Sequence, residues 1–273
     1  MTRALRDPRW LGGLAVAVVF GLACVLLAQW QLDRRVQRAE RNAAVLENYD
    51  SAPVALDEAL PSVAAPDGLD DEPSPEEQWT PVRLRGRFDA DDTVLVRNRP
   101  QSDTNGYQVA VPFDTTLSGG APVRLMLVRG WVPAGEGAGR PSSLPDPPDG
   151  TVEVVARLRT GESPATRTAP EGQTYRLHLP TLLGGAGGGD GTAALTGAYG
   201  VVASEDGRPP AGMAALDRPD TDPGPHLAYG VQWYLFALAG LGIWGVLARR
   251  HGQEHQLAGE QPGAGTWVYD PGR

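Results

Sequence analysis

The sequence predicts two transmembrane helices flanking a mainly antiparallel β domain outside the cytoplasm, folded as a sandwich or partly closed barrel. Three observations predict it. Two intense apolar runs lie near the ends of a chain whose mean hydropathy is only -0.27. Between them, short segments alternate apolar and polar residues, as half-buried strands do. Turn signals such as Asn105-Gly106 separate those segments, a spacing typical of antiparallel architectures.

Arg3, Arg6 and Arg9 precede Trp10, and Leu11 to Ala28 then runs without charge, about 18 residues and the lower end of what crosses a bilayer as a helix. The reading is a tail at 1–10 and a first span at 11–30. Cys24, the single cysteine, excludes an intrachain disulfide and a cysteine-cluster metal site. Leu22-Ala23-Cys24 resembles the end of a lipoprotein signal. Gly21 stands where a larger aliphatic residue is usual, and apolar character continues to Ala28, beyond the ~7–15 residues of a signal-peptide core. An uncut span is therefore expected.

Residues 31–78 read as a helical extension followed by an acidic, proline-rich linker, with one helical turn near Val54-Ala55-Leu56. The β domain is placed at 79–225. Val82 and Leu84 alternate with Arg83, Arg85 and Arg87, the pattern of a strand with one charged face. Further strands are expected at Thr93 to Arg97, Tyr107 to Phe113, Val123 to Val132, Thr151 to Arg159, Thr174 to Leu179 and Ala198 to Ala203. Few helices are expected among them. Gly184 to Gly191 lacks a following Gly-Lys-Ser/Thr, and Gly135, Gly137 and Gly139 open no helix, so neither cradles a phosphate by a known motif.

The second span is placed at 226–248, because Leu227 to Ala248 carries no charged side chain, enough to cross a core roughly 30 Å thick. Trp233 and Tyr234 fall in its first turns and Trp244 near its far end, at depths that suit amphipathic rings. Arg249 and Arg250 open a tail at 249–273. With Arg3, Arg6 and Arg9 they favour cytoplasmic termini; Arg34, Arg35, Arg38 and Arg41 oppose this, but a long intervening domain translocates largely regardless of charge. The expected location is a cell membrane, crossed twice.

The 33 acidic against 24 basic residues, net charge -9, argue against a nucleic-acid partner, since phosphate backbones need a basic face. Membrane lipid is the partner the spans require. All the basic residues are arginine, which with the many glycines and prolines points to GC-rich bacterial coding. No Gly-x-Ser-x-Gly elbow and no His-Glu-x-x-His pair occurs, so a binding or assembly role is expected, not an enzyme. His226, at the mouth of the second span, has two readings. It is an interfacial residue bonded to water or a carbonyl, or its neutral imidazole ligates a metal or haem iron. His251 and His255 belong to the opposite end of that span; His178 lies in an expected strand.

Five blocks now bear on the choice: Trp30-Gln31-Leu32-Asp33-Arg34; Gly86 with Val96-Arg97-Asn98-Arg99; Gly106-Tyr107-Gln108-Val109 with Pro112; Val128-Arg129-Gly130-Trp131-Val132-Pro133; and His226-Leu227-Ala228-Tyr229-Gly230-Val231-Gln232-Trp233. In kind and order they resemble the surfeit locus protein 1 family, from about Trp10 to Arg250. Pro225 stands where family members often carry asparagine, and Glu205 to Gly224 is unusually rich in proline and glycine.

The resemblance implies an assembly factor for haem-copper cytochrome c oxidase that transiently binds haem a. It implies the oxidase catalytic subunit and haem a synthase as partners, and His226 as the ligand to haem iron. A haem carrier needs an apolar slot, for which Trp30, Tyr229 and Trp233 are candidates, and cations for two propionates. Arg129 leads the arginines because it stands in a shared block; Arg34, Arg97 and Arg99 are the others. The alternative is a membrane-tethered scaffold that stabilises an oxidase assembly intermediate without binding haem.

Overall fold

A computed structural model describes residues 8–65, 68–135, 139, 141, 143–184 and 192–259, without the side chains of 252 and 254–259. Arg3, Arg6, Gly137, residues 185–191 of the glycine-rich loop, the His255 side chain and residues 260–273 of the C-terminal tail lie outside the described residues. Packing divides the chain into two units, residues 1–39 with 222–273, and Glu40–Thr221.

The first unit is a helix pair. Helix α1, Pro8–Asn48, begins here and runs on into the second unit, and helix α4 spans His226–Gly259. Both are long and apolar enough to cross a membrane. They meet along a seam of small residues and rings. Gly230 lies against Leu32 and the Ala28 carbonyl, Gly240 against Phe20, and Gly13 against Trp244. Cys24, Ala28 and Ala248 are almost wholly buried. Small residues at three- and four-residue steps let two backbones approach closely where lipid offers no hydrophobic drive for association. At the far end the Trp244 indole donates to the Trp10 carbonyl at 3.3 Å, and the Trp10 and His251 rings stand 4.9 Å apart. The outer faces carry bare aliphatic side chains, Val16 being 69% and Leu238 67% exposed. In water such surface would aggregate; against acyl chains it is solvated.

The second unit is a β-barrel with additions. Its strands are β1 (Val54–Ala55), β2 (Pro81–Phe88), β3 (Val94–Val96), β4 (Gly106–Thr116), β5 (Pro122–Pro133), β6 (Val152–Thr160), β7 (Gln173–Thr174) and β8 (Ala193–Glu205). The sheet runs in the order β1-β2-β6-β8-β5-β4-β3-β7. It closes on itself because β2, besides its short parallel contact with β1, joins the two ends of the barrel: Pro81–Gly86 pairs with β6, and Gly86–Phe88 pairs with β4. The pairs β5–β8, β1–β2 and β3–β7 are parallel and the rest antiparallel. Of the two forms expected, the barrel is the one adopted. Closure removes sheet edges that would otherwise pair with other chains.

Strand β5 shows how the core is built. Leu125 and Leu127 point into the barrel with Val82, Leu84, Phe113, Val154 and Leu158. Met126 and Val128 face the other way, beneath Leu177, Leu179 and Leu183. A strand covered on both faces reads as a continuous apolar run, as Leu125-Met126-Leu127-Val128 does.

Two segments depart from expectation. The linker is not loose throughout: Leu56 and Ala59 of α2 (Leu56–Ala59), with Leu60 and Val63, are buried in the barrel core. Four apolar side chains spaced over one short helix and a 3-10 turn outweigh the surrounding prolines and acids. Conversely, Thr174 to Leu179 is not a strand. Only Gln173–Thr174 pairs, and Leu177 and Leu179 turn inward to lead into α3, Leu179–Leu183.

The end of α1 belongs to this unit. Asn42 donates to the Thr221 carbonyl at 2.8 Å, and Asn48 to the Glu76 and Gln78 carbonyls at 2.6 and 2.9 Å. The Arg157 guanidinium lies 3.8 Å from the Tyr49 ring and donates to the Tyr49 carbonyl at 2.7 Å.

Candidate functional site

The candidate site is built on the helix pair at the start of α4. Its first residue, His226, follows Pro225, whose carbonyl accepts the Tyr229 N–H at 3.1 Å and so closes the first turn. Proline ends the preceding loop without needing a partner for an N–H it lacks. The His226 Nδ1 lies 2.9 Å from Gln31 Oε1 on α1. An amide oxygen only accepts, so Nδ1 is the donor in this bond, which in the neutral tautomer leaves the Nε2 lone pair free. That arrangement fixes the ring and leaves Nε2 as the coordinating atom. Gly230, one turn on, lets α4 approach Leu32 and the Ala28 carbonyl, where a side chain would be crowded.

Tyr229 and Trp233 sit one and two turns beyond His226 on the same helix. Tyr229 is 47% exposed, whereas the Trp233 ring meets Phe236 edge-on at 5.7 Å. Trp30 precedes Gln31, is 52% exposed, and carries the Arg34 guanidinium over its ring at 5.7 Å. Rings and imidazole thus gather at the same end of the helix pair, with Arg34 over Trp30 and Arg38 beside Gly224, next to His226. Deeper between the helices, a groove of about 360 Å3 is lined by Gly21, Leu22, Tyr234, Ala237 and Leu241.

Arg129 belongs to the barrel unit. Its side chain is 1% exposed and makes a two-pronged ion pair with Glu205, at 2.6 and 3.0 Å, plus a bond to the Pro145 carbonyl at 3.1 Å. Phe88 covers it at 5.3 Å. The guanidinium is committed within the barrel. Next to it, Trp131 donates to the Arg99 carbonyl at 2.6 Å and pairs with Ala214 through its backbone. Arg97 and Arg99 also have partners in this unit, Gln173 and Glu162. His178 is bonded to Thr181 at 2.6 Å.

Among the described residues, no group of three or more His, Cys, Asp or Glu could hold a bare metal ion. A ligand to iron already held in a macrocycle needs no such group. Gln31 is the residue that sequence reasoning passed over. It stands in a shared block beside Trp30, but its partner lies 195 residues away.

A family model described as the SURF1 family matches residues 18–238. Among similar proteins is a SURF1-like protein of Mycobacterium bovis, 30% identical over 268 residues, covering 94% of this chain and 91% of the relative. SURF1-like proteins of two Mycobacterium tuberculosis strains match with the same identity and coverage.

Proposed function

Because the chain belongs to the SURF1 family, known generally as oxidase assembly factors, we propose that it is a membrane-anchored assembly factor that holds haem a through His226. On this reading it aids haem insertion into the catalytic subunit of cytochrome c oxidase, receiving its cargo from haem a synthase. One observation carries the haem reading: the bond from His226 Nδ1 to Gln31 at 2.9 Å, which holds the imidazole with Nε2 available. Haem a is cargo here, a large apolar macrocycle whose iron accepts an imidazole nitrogen.

The exposed faces of Trp30 and Tyr229 offer apolar walls for such a ring. A single imidazole holds the cargo firmly enough to carry and loosely enough to release. Arg34 over Trp30 is the propionate partner this reading prefers, since Arg129 is spent on Glu205.

The test is the absorption spectrum of protein purified in detergent from haem-a-producing cells. Wild type should show a bound haem band, and His226→Ala should lose it while keeping normal expression and Tm. Gln31→Leu should bind haem about tenfold or more weakly, the usual cost of removing a group that orients a ligating histidine, and Gln31→Glu should restore binding. Normal haem content in His226→Ala would reject ligation and leave the haem-free scaffold as the function.

The proposed topology puts both termini in the cytoplasm and the barrel outside. It is supported by Arg9, Arg249 and Arg250 at the helix ends and by the Trp10–His251 ring contact that joins those ends. Reporter fusions at residue 140 and at the C-terminus should report opposite sides. The same side for both would end the two-span topology.

A further inference from the structure

The barrel unit carries a cavity of about 510 Å3 that no part of the haem reading uses. Arg97, Arg99, Arg167 and Arg176 line it, with Asn98 and Tyr175. Its construction is local. Arg97 continues the pairing of β3 through its N–H to the Thr174 carbonyl at 2.8 Å. Asn98 then takes a left-handed conformation, φ 56°, which asparagine tolerates better than most residues. Tyr175 is the hub: Arg167 lies 3.7 Å and Arg97 5.7 Å from its ring.

Charge is the unusual feature. Among the described residues Glu162 is the one carboxylate these arginines contact, bonded to Arg99 at 2.6 and 2.8 Å and 3.9 Å from Arg176. Four guanidinium groups therefore face a single counter-charge, in a protein whose net charge is -9. Gathering like charges opposes folding. The Nε atoms of Arg97 and Arg99 are enclosed, with no hydrogen-bond partner among the described residues. Enclosed atoms of this kind do not open to the cavity, so it is the charge surplus that calls for an anion the chain does not supply.

A second cavity of about 310 Å3 adjoins the first, sharing Ala165, Arg167, Tyr175 and Arg176. Its further walls include Pro164, Leu182 and His178, a less charged lining. A charged chamber opening into a less charged one suits a ligand with an anionic head and an organic body.

We propose that this double cavity binds a phosphomonoester, its dianionic phosphate among Arg97, Arg167 and Arg176 and its organic part toward Leu182 and His178. Arginine forks suit a tetrahedral oxyanion approached from several sides, and a dianion balances the charge surplus better than a lone carboxylate. The phosphate could come from a soluble ester or from a lipid headgroup. This inference goes beyond the haem reading and does not depend on it.

The experiment uses the full chain in neutral detergent, free of haem, with binding followed by calorimetry and Tm. Inorganic phosphate should bind, and phenyl phosphate more tightly because it also fills the second chamber. Arg167→Gln with Arg176→Gln changes two exposed side chains, so the fold should survive, shown by an unchanged Tm without phosphate. Affinity should fall about tenfold for each charge-assisted bond lost. Micelles doped with phosphatidic acid shifting Tm beyond the phenyl phosphate effect would assign the lipid source, and an equal shift the soluble one. No phosphate binding by wild type, equal binding by the double variant, or succinate binding as well as phosphate would overturn the proposal.

Discussion

Replacing Glu205 with glutamine should destabilise the barrel by about 3–5 kcal/mol, the usual cost of stripping one partner from a buried ion pair. Arg129 is 1% exposed and cannot relax into water, and its Nε and Nη2 both point at Glu205 carboxylate oxygens at 2.6 and 3.0 Å. With the carboxylate neutralised, the guanidinium remains charged beside Phe88, whose ring face offsets only a fraction of the loss. Arg129→Met should cost a similar amount, because it leaves the Glu205 carboxylate buried alone. The double variant Arg129→Met with Glu205→Gln should be more stable than either single variant, since removing both charges together avoids an orphaned ion. Thermal or denaturant unfolding of the four proteins in one detergent closes the cycle. Additive losses in the double variant would show that the two side chains do not act as a pair.

That pair also marks what the sequence conceals. Arg129 stands in a recognisable block, but Glu205 lies 76 residues away at the end of β8, where an acidic pair, Glu205-Asp206, before Gly207 looks solvated. The same limit applies to His226 and Gln31. Each is visible alone, and only the close approach of α1 and α4 at Gly230 shows that one orients the other. Local periodicity, by contrast, was legible wherever one partner face decided the pattern. The alternation of Val82 and Leu84 with three arginines specifies β2, and the unbroken apolar run of β5 specifies a strand buried on both faces. Periodicity misled at Tyr175, Leu177 and Leu179, which alternate with Arg176 and His178 as a strand would. There the leucines serve as plugs over the outer face of β5 and β8, and the arginine turns to a cavity. The buried part of the linker was hidden because proline and acidic residues surround its few apolar anchors. The pairing of β2 with β4, the event that closes the barrel, leaves no trace in a single sequence except one glycine.

That glycine is Gly86, and Gly86→Ala should cost about 3 kcal/mol or more, at or above the upper end of ordinary overpacking. Gly86 is the residue at which β2 leaves β6 and joins β4, pairing with Val152 on one side and Thr115 on the other. A Cβ there would stand 1.9 Å from the Asp114 carbonyl oxygen and 2.9 Å from the Phe113 ring. The first obstacle is backbone, which cannot rotate aside as a side chain does. Relief requires the β2–β4 contact to open, and with it the closure of the barrel. Asp114 also anchors Arg124, at 2.7 Å through both Nε and Nη2. This bonding, with the nearby Asp89 carboxylate, holds the Arg124 guanidinium above its ordinary pKa despite partial burial, so moving the Asp114 backbone disturbs a second charged cluster. Gly119→Ala is the matched control, since nothing lies within 4 Å of its Cβ position, and it should leave Tm within a degree or two. Amide exchange localises the effect: Gly86→Ala should speed exchange at Asp89, whose N–H bonds to the Pro112 carbonyl at 2.9 Å, while the β6–β8 ladder stays protected. Unchanged stability in Gly86→Ala would mean that the barrel does not close at this residue.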